Sequence, residues 1–384
     1  MKLHKPRVML FAYDGTGLGH LMRLIRIAEC LKDYFNPLIV TGHRAVCQMI
    51  PEGIEFIRIP VFSSIASEQA GMKGHSLNVK EFRSDTLLYI VKLFKPHILI
   101  TDYMPAGKKN ELLKLIVNSP CLKYLIMRGD IGSLDQLQNI VFNTDNNKLI
   151  ENFYNRVFIA SDARLEDFSS NMSIPSAVRD KFQHVGYVTK KISKDDIYKI
   201  RKDREVDETR PWVVCSAGGG RMGEDLIREC IQMAQEKTFA MVQFDIIRGY
   251  YSDIPWPNNL YDTIMLSPNV RFSRSVDALP TMHAAADCVV CSGGYNSLLE
   301  TMQGRNKQVL AYSVQIDEDE QLRNIMNFQH FYPIEHVSNL ETLPLKLKQC
   351  LNVPAPIPAM DIDTDGAQQI ANWIKKDFED ANSL

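Results

Sequence analysis

Two stretches of this 384-residue chain carry residue types that could do chemistry, at the spacing that chemistry requires. The first, Ala285 to Asn324, contains A-A-D-C-V-V-C-S-G-G-Y-N-S-L-L-E-T-M-Q-G and then D-E-D-E-Q-L-R-N. It reads as a short buried strand, a Ser292-Gly293-Gly294 turn, a helix carrying Glu300, and the acidic start of another helix at Glu320 and Gln321. A Gly-Gly turn opening a helix lets backbone N–H groups approach a phosphate with no Cβ in the way. Glu300 lies about two turns past Gly293, a reach that suits ribose hydroxyls. The acceptors on Glu320 and Gln321 suit a polyhydroxyl ligand. Together they form what a nucleoside-diphosphate sugar needs.

The second stretch pairs His20 with Asp102. His20 follows Gly15-Thr16-Gly17-Leu18-Gly19 at the start of a helical pattern, and Asp102 ends the strand-like run H-I-L-I-T-D. Both fall at the carboxyl edge of a sheet, where α/β sheets bind ligands. A histidine backed by a carboxylate is a general-base arrangement, because the acid fixes the tautomer and stabilises the imidazolium. Asp14 is a rival base on that edge, and Arg221, after Gly218-Gly219-Gly220, could face a phosphate. Each reading has a plainer counterpart. His20 could cap a helix or sit satisfied in the core, Asp102 could be a loop carboxylate, and Glu300, Glu320 and Gln321 could be solvated. Either Gly-rich turn could be only a tight turn.

These groups need a frame to position them. Strand-like runs at Val8–Tyr13, Leu38–Thr41, Ile54–Ile59, His97–Thr101, Leu122–Met127 and Arg156–Ala160 alternate with helical patterns at 20–31, 43–50, 79–94 and 107–117. A second cycle starts near Pro211, with strands expected at Trp212–Ser216, Ala240–Ile247, Asn269–Phe272, Cys288–Cys291 and Gln308–Ala311, and a helix at 224–236. Alternating β and α units imply parallel sheets with helices on both faces. The charged piece Lys190–Arg210 separates the cycles and is expected to be a connector with a short solvated helix. The stretches 60–78 and 129–150 read as polar loops of unclear periodicity, and a last helix is expected over 364–381.

At this length the chain suits two α/β domains rather than one core. Apolar content of 45% and charged content of 23% are those of a soluble globular protein. A net charge of -2 gives no field that favours nucleic acid. The eight cysteines are scattered in apolar settings, which points to a reduced, cytoplasmic protein, and Cys288-x-x-Cys291 reads as buried small hydrophobes. No apolar run approaches the ~20 residues of a membrane span, which leaves room only for peripheral membrane contact. Neither Gly-rich turn spells G-x-G-x-x-G with a following acidic strand end, and no Gly-Lys-Ser/Thr occurs, so dehydrogenase and NTPase readings are weak.

The stretch V-R-F-S-R-S-V-D-A-L-P-T-M-H-A-A-A-D-C-V-V-C-S-G-G-Y-N-S-L-L-E resembles the donor-binding region of GT-B glycosyltransferases, in particular the MurG-like, family 28-type group. The resemblance implies a GT-B fold, with two Rossmann-like domains facing across a cleft and a C-terminal helix crossing back to the first. It implies an N-terminal acceptor domain over 1–190, a C-terminal nucleotide-sugar domain over 191–363 and the crossing helix over 364–384. Gly218 and Gly219, and Ser292 through Ser297 including Gly293, Gly294 and Asn296, would hold the diphosphate, and Gly220 and Arg221 are donor-site candidates from the residues themselves. Glu300 would hold ribose, and Glu320 and Gln321 the sugar. His20, behind Asp14, Gly17 and Gly19, matches the family's Gly-His after the first strand. Asp102 departs from the MurG-like pattern and resembles the partner of the catalytic histidine in natural-product glycosyltransferases of this fold. G-H-x-x-R also resembles a UDP-sugar hydrolase of the same fold. The implied activity is inverting transfer from a nucleotide sugar, uridine being the family default, to an unspecified acceptor, with no cofactor and no metal. Hydrolysis or epimerisation of the nucleotide sugar, or its binding without turnover, are the alternatives.

Overall fold

The computed structural model describes residues 5–13, 17–44, 46–62, 79–129, 137–165, 172–219, 223–250, 267–305, 307–313, 320–354 and 357–383. The chain divides into two compact units, residues 1–189 with 363–384, and residues 190–362.

The first unit is built on β1 (Arg7–Phe11), β2 (Asn36–Thr41), β3 (Glu55–Arg58), β4 (Ile98–Asp102), β5 (Leu122–Arg128), β6 (Arg156–Ala160) and β7 (Phe182–His184). Its helices are α1 (Gly19–Leu31), α2 (Val46–Met49), α3 (Val79–Phe94), α4 (Leu113–Asn118), α5 (Thr144–Phe153) and α6 (Ser176–Arg179). The strands run parallel in the order β3-β2-β1-β4-β5-β6-β7. Strand side chains alternate between faces. Met9, Phe11, Leu99, Leu125 and Met127 enter one apolar cluster, and Val8, Leu10, Ile98, Ile100 and Ile126 the other. That two-sided burial explains why the strands read as continuous apolar runs.

The second unit is built on β8 (Trp212–Ser216), β9 (Gln243–Ile247), β10 (Val270–Ser273), β11 (Cys288–Ser292), β12 (Gln308–Tyr312) and β13 (Ile334–Val337), all parallel, in the order β10-β9-β8-β11-β12-β13. Its helices are α7 (Lys194–Asp203), α8 (Glu224–Ala234), α9 (Leu279–Ala285), α10 (Tyr295–Thr301), α11 (Glu320–Phe328) and α12 (Leu343–Asn352). Each sheet reverses its strand order once, between β1 and β4 in the first and between β8 and β11 in the second.

The last helix, α13 (Gly366–Asn382), belongs to the first unit. Ala367, Ile370, Ala371 and Ile374, at i, i+3, i+4 and i+7, enter the cluster that holds Leu21, Leu24, Ile25 and Ala28 of α1. Asp377 accepts two hydrogen bonds from Arg156, at 2.7 and 2.8 Å, and one from the Tyr124 hydroxyl at 3.1 Å. The Arg156 guanidinium also lies 4.3 Å from the Trp373 ring centroid. The segments that leave and re-enter this unit are zipped together, Tyr187 N–H donating to the Asp363 carbonyl at 2.7 Å and Gly366 N–H to the Tyr187 carbonyl at 3.1 Å. A Cβ on Gly366 would stand 2.4 Å from the Gly186 carbonyl oxygen, so only glycine permits that approach.

Several elements differ from the sequence expectation. β7, β13, α9 and α12 are short or lack clear periodicity, and packing rather than pattern decides them. The 129–150 stretch is not simply a loop, since α5 starts at Thr144 with the Asn143 side chain accepting from Asn146 N–H. Its Asn and Asp residues are capping chemistry that hid the buried Leu149 and Ile150. The Lys190–Arg210 piece is more than a solvated connector. α7 packs on α9, and its buried Arg201 donates to the Ala285 carbonyl at 2.8 Å and to Glu208. Most of the 60–78 stretch lies outside the described residues. Among the described residues no helix is long and apolar enough to cross a membrane.

Ile370→Ala should destabilise the first unit by about 2–5 kcal/mol, the usual cost of emptying a buried aliphatic site. Asp377→Asn should cost less, because its partner Arg156 keeps 31% of its side chain exposed. Chemical denaturation followed by tryptophan fluorescence reads both, and an Ile370→Ala midpoint equal to that of the parent would refute the packing assigned to α13.

Candidate active site

The first constellation sits where the first sheet reverses its order. His20 is the second residue of α1, and Asp102 is the last residue of neighbouring β4. The His20 Nδ1 lies 2.7 Å from Asp102 Oδ2. Arg23, three residues along the same helix face, donates to Asp102 Oδ1 from Nε at 3.2 Å and Nη2 at 2.7 Å. Each carboxylate oxygen therefore has its own cationic or N–H partner. An ionised carboxylate only accepts, so the proton on this side of the imidazole is on Nδ1 and Nε2 keeps its lone pair. The 3.1 Å approach of Arg23 Nη2 to Nδ1 then brings two donors together and is not a hydrogen bond.

Two tyrosines pack round the imidazole. The Tyr13 and Tyr103 ring centroids lie 5.2 and 5.5 Å from it and 5.1 Å from each other. Tyr103 follows Asp102 with a φ of 71°, a left-handed conformation rare for an aromatic residue and typical of strain held at functional sites. Asp102 is fully buried and the His20 side chain keeps 16% exposure. Burial alone would raise the Asp102 carboxyl, but the Arg23 guanidinium and then His20 outweigh it, so its pKa falls below the ordinary range. His20 is pulled below its ordinary value first by burial; Asp102 opposes this, while Arg23 and Arg128 add to it. The imidazole is thus held neutral at neutral pH, in the form that accepts a proton.

The second constellation sits where the second sheet reverses. Gly218, just past β8, has a φ of 59°, and a Cβ there would lie 3.5 Å from Ser292 Oγ and 3.7 Å from Ser297 Oγ. Two hydroxyls from β11 and α10 therefore stand over bare backbone. Gly294 caps α10 with no capping side chain, and a Cβ on it would meet only Ser297 Oγ, at 3.9 Å. Gly293 is glycine for a different reason from the one its sequence suggests. A Cβ there would lie 2.6 Å from Ile325 Cδ1 and 2.7 Å from the Gln321 carbonyl oxygen, so the packing of α11 by itself requires glycine.

Glu300, on α10, keeps 18% of its side chain exposed, and its Oε2 lies 3.2 Å from Nδ1 of His283 on α9. The His283 Nε2 lies 3.0 Å from Ser216 Oγ at the end of β8. Asn296 on α10 and Gly219 in the β8 turn are half-buried. Glu320 is exposed at the start of α11, where half-buried Gln321 follows with its carbonyl against Gly293. Gly17 bends, exposed, into α1, and Gly19 is already that helix's first residue. Asp14, Gly220 and Arg221 lie outside the described residues. Cys291, beneath Glu300, has its thiol pushed up to about 12 by burial and then by the Glu300 charge, which makes it an inert core residue.

The fold therefore joins His20 to Asp102, and Gly218 to Ser292 and Ser297. Sequence reasoning missed Arg23, Tyr103, Ser216 and His283. Arg23 had a readable signal, a cation one turn after His20 in G-L-G-H-L-M-R. His283 had only a faint one, a titratable residue in the mostly apolar run L-P-T-M-H-A-A-A.

Arg23→Ala should cost about 3–5 kcal/mol, because it strands a buried carboxylate without its cation. Gly293→Ala should lower the melting temperature, whereas Gly294→Ala should leave it nearly unchanged. Thermal unfolding of the three variants checks this, and equal melting points for the two glycine variants would contradict the packing reason given for Gly293.

No protein-family model and no curated protein matches the chain. Solved structures do. A glycosyltransferase of kitacinnamycin superposes with a TM-score of 0.62 at 12% identity, over 98% of this chain and 100% of its own. A UDP-GlcNAc 2-epimerase from Neisseria meningitidis bound to UDP-GlcNAc gives 0.61 at 14% identity, over 96% and 100%. UGT2 of Phytolacca americana, complexed with UDP-2fluoro-glucose and pterostilbene, gives 0.57 at 12% identity, over 99% and 95%. Two Rossmann-like parallel-sheet units in one chain, matched along almost its whole length, make this the GT-B fold.

Proposed function

We propose that the protein is an inverting glycosyltransferase that moves a sugar from a nucleoside-diphosphate sugar, UDP-linked, to an acceptor hydroxyl. The observation that carries this reading is the 2.7 Å His20–Asp102 contact at the switch point of a GT-B sheet. Support comes from structures of this fold whose bound molecules are UDP-2fluoro-glucose and UDP-GlcNAc. The finer placement in the MurG-like group rests on the Val270–Asn324 spelling alone, while the His20–Asp102 pair resembles the dyad of natural-product glycosyltransferases.

In this reading the first unit serves the acceptor and the second holds the donor. His20 Nε2 takes the proton of the acceptor hydroxyl as its oxygen attacks the anomeric carbon. The bond from that carbon to the diphosphate oxygen breaks, the new glycosidic bond forms on the opposite face, and nucleoside diphosphate leaves. Asp102 fixes the Nδ1–H tautomer and stabilises the imidazolium that results. Arg23 locks the carboxylate in place and adds to the burial that lowers the pKa of the base. The amides at the start of α10 and the hydroxyls of Ser292 and Ser297 neutralise charge on the leaving diphosphate, an electrostatic role that asks for no metal. Glu300 takes the ribose hydroxyls, and Glu320 and Gln321 the sugar.

The deciding experiment incubates the protein with nucleotide sugars and a panel of hydroxyl acceptors. His20→Ala should abolish transfer and leave nucleotide binding nearly intact, while Gly294→Ala and Glu300→Ala should weaken nucleotide binding. Full transfer by His20→Ala would remove the base assignment. Free sugar or an epimerised donor formed without acceptor would reassign the protein as a hydrolase or epimerase. Turnover needs neutral His20, whose pKa is lowered, so the acid limb of kcat/KM should fall below pH 6.5. Arg23→Gln removes one of the lowering charges and should move that limb upward. Nucleotide binding itself reads out as thermal stabilisation, roughly 2.7 kcal/mol for a ligand at ~100 times its dissociation constant.

A further inference from the structure

Glu300 does not act alone. The chain Ser216 Oγ, His283 Nε2, His283 Nδ1, Glu300 Oε2 is continuous, with contacts of 3.0 and 3.2 Å, and the histidine at its centre has 0% exposure. Its direction follows from its ends. A carboxylate can only accept, so Nδ1 carries the proton and donates to Glu300. Nε2 must then accept, and the Ser216 hydroxyl donates to it. A buried imidazole with both nitrogens engaged cannot rotate without breaking both bonds. It therefore holds one oxygen of a long, flexible side chain that would otherwise sample several rotamers. The ring is anchored to the end of β8 and the carboxylate sits on the helix after β11, so the chain spans the two strands at which the sheet order reverses.

We propose that His283 is a positioning residue that presets the Glu300 carboxylate to take a vicinal diol, and that it thereby sets a preference for ribonucleoside over deoxyribonucleoside diphosphates. The inference rests on the nucleotide reading of this site given above. A carboxylate held by one oxygen presents the remaining lone pairs in a fixed direction, which two adjacent ribose hydroxyls can match and one cannot. Removing the histidine frees the carboxylate and leaves diphosphate contacts at Gly218, Ser292 and Ser297 in place.

Calorimetry with uridine diphosphate, 2′-deoxyuridine diphosphate and inorganic pyrophosphate tests it. The parent protein should prefer the ribonucleotide by roughly tenfold to a hundredfold, the value of a hydrogen bond to a charged group. His283→Leu should bring that preference close to one while pyrophosphate affinity stays as it was. Ser216→Ala, a smaller change that keeps the histidine, should reduce the preference partway and serves if His283→Leu does not fold. Long-range proton–nitrogen spectra of the parent should show the Nδ1–H tautomer for His283. An unchanged preference in the variants would overturn the role of His283 and leave the nucleotide site standing. An equal fall in pyrophosphate and nucleotide affinity would make His283 merely structural. Failure of the parent to bind any of the three probes would overturn the nucleotide reading, and this inference with it.

Discussion

A parallel sheet whose strand order reverses must leave a gap at the carboxyl ends of the two strands where it does so, because the connections on either side go to opposite faces. The candidate chemistry of this protein depends on that constraint, applied twice. Between β1 and β4 the gap receives His20, from the start of α1, and Asp102, from the last position of β4. Between β8 and β11 it receives the Gly218 turn and the Ser292–Ser297 turn. Neither site needs an inserted element. Both use residues that the two-layered packing of helices on the sheet would place at these edges in any case.

The two gaps solve different electrostatic problems. In the first, a carboxylate is fully buried, and Arg23 and His20 divide its two oxygens between them. A buried anion with one cationic and one imidazole partner is stable, yet its charge is largely spent, so the imidazole gains less from it than from an unshared carboxylate. Burial, more than this sharing, is what draws the histidine's pKa below its ordinary value. In the second, no buried cation faces the turn among the contacts described. There the Ser292 and Ser297 hydroxyls stand by the bare Gly218 backbone, and Glu300 is held by His283.

The strands and the main helices were legible in the sequence because burial on both faces makes each parallel strand an unbroken apolar run and each covering helix an amphipathic one. α1 and α13 show this, with Leu21, Leu24, Ile25 and Ala28 meeting Ile370 and Ile374 in one cluster. What was not legible has a physical reason in each case. α5 was hidden by the Asn and Asp residues in and before its first turn, Asn143 being its cap, and β7 and β13 are edge strands too short to show a pattern. Gly293 looked like a ligand-approach glycine because its neighbours do, and only the position of Ile325 shows that it makes room for α11.

The sequence by itself determined the residue types and their place along each element: a histidine after the first strand, a carboxylate at the end of the fourth, two glycine turns before helices, a glutamate two turns on. Local propensity and hydrophobic period are enough for that, since they act over a few residues. Only the tertiary structure decided partnership. Arg23 rather than solvent neutralises Asp102 across 79 positions of chain, and His283 rather than water reaches both Ser216, 67 positions away, and Glu300, 17 positions on. Such pairings are set by which strands become neighbours in the sheet, and strand order is a property of the whole packed chain that no local pattern encodes.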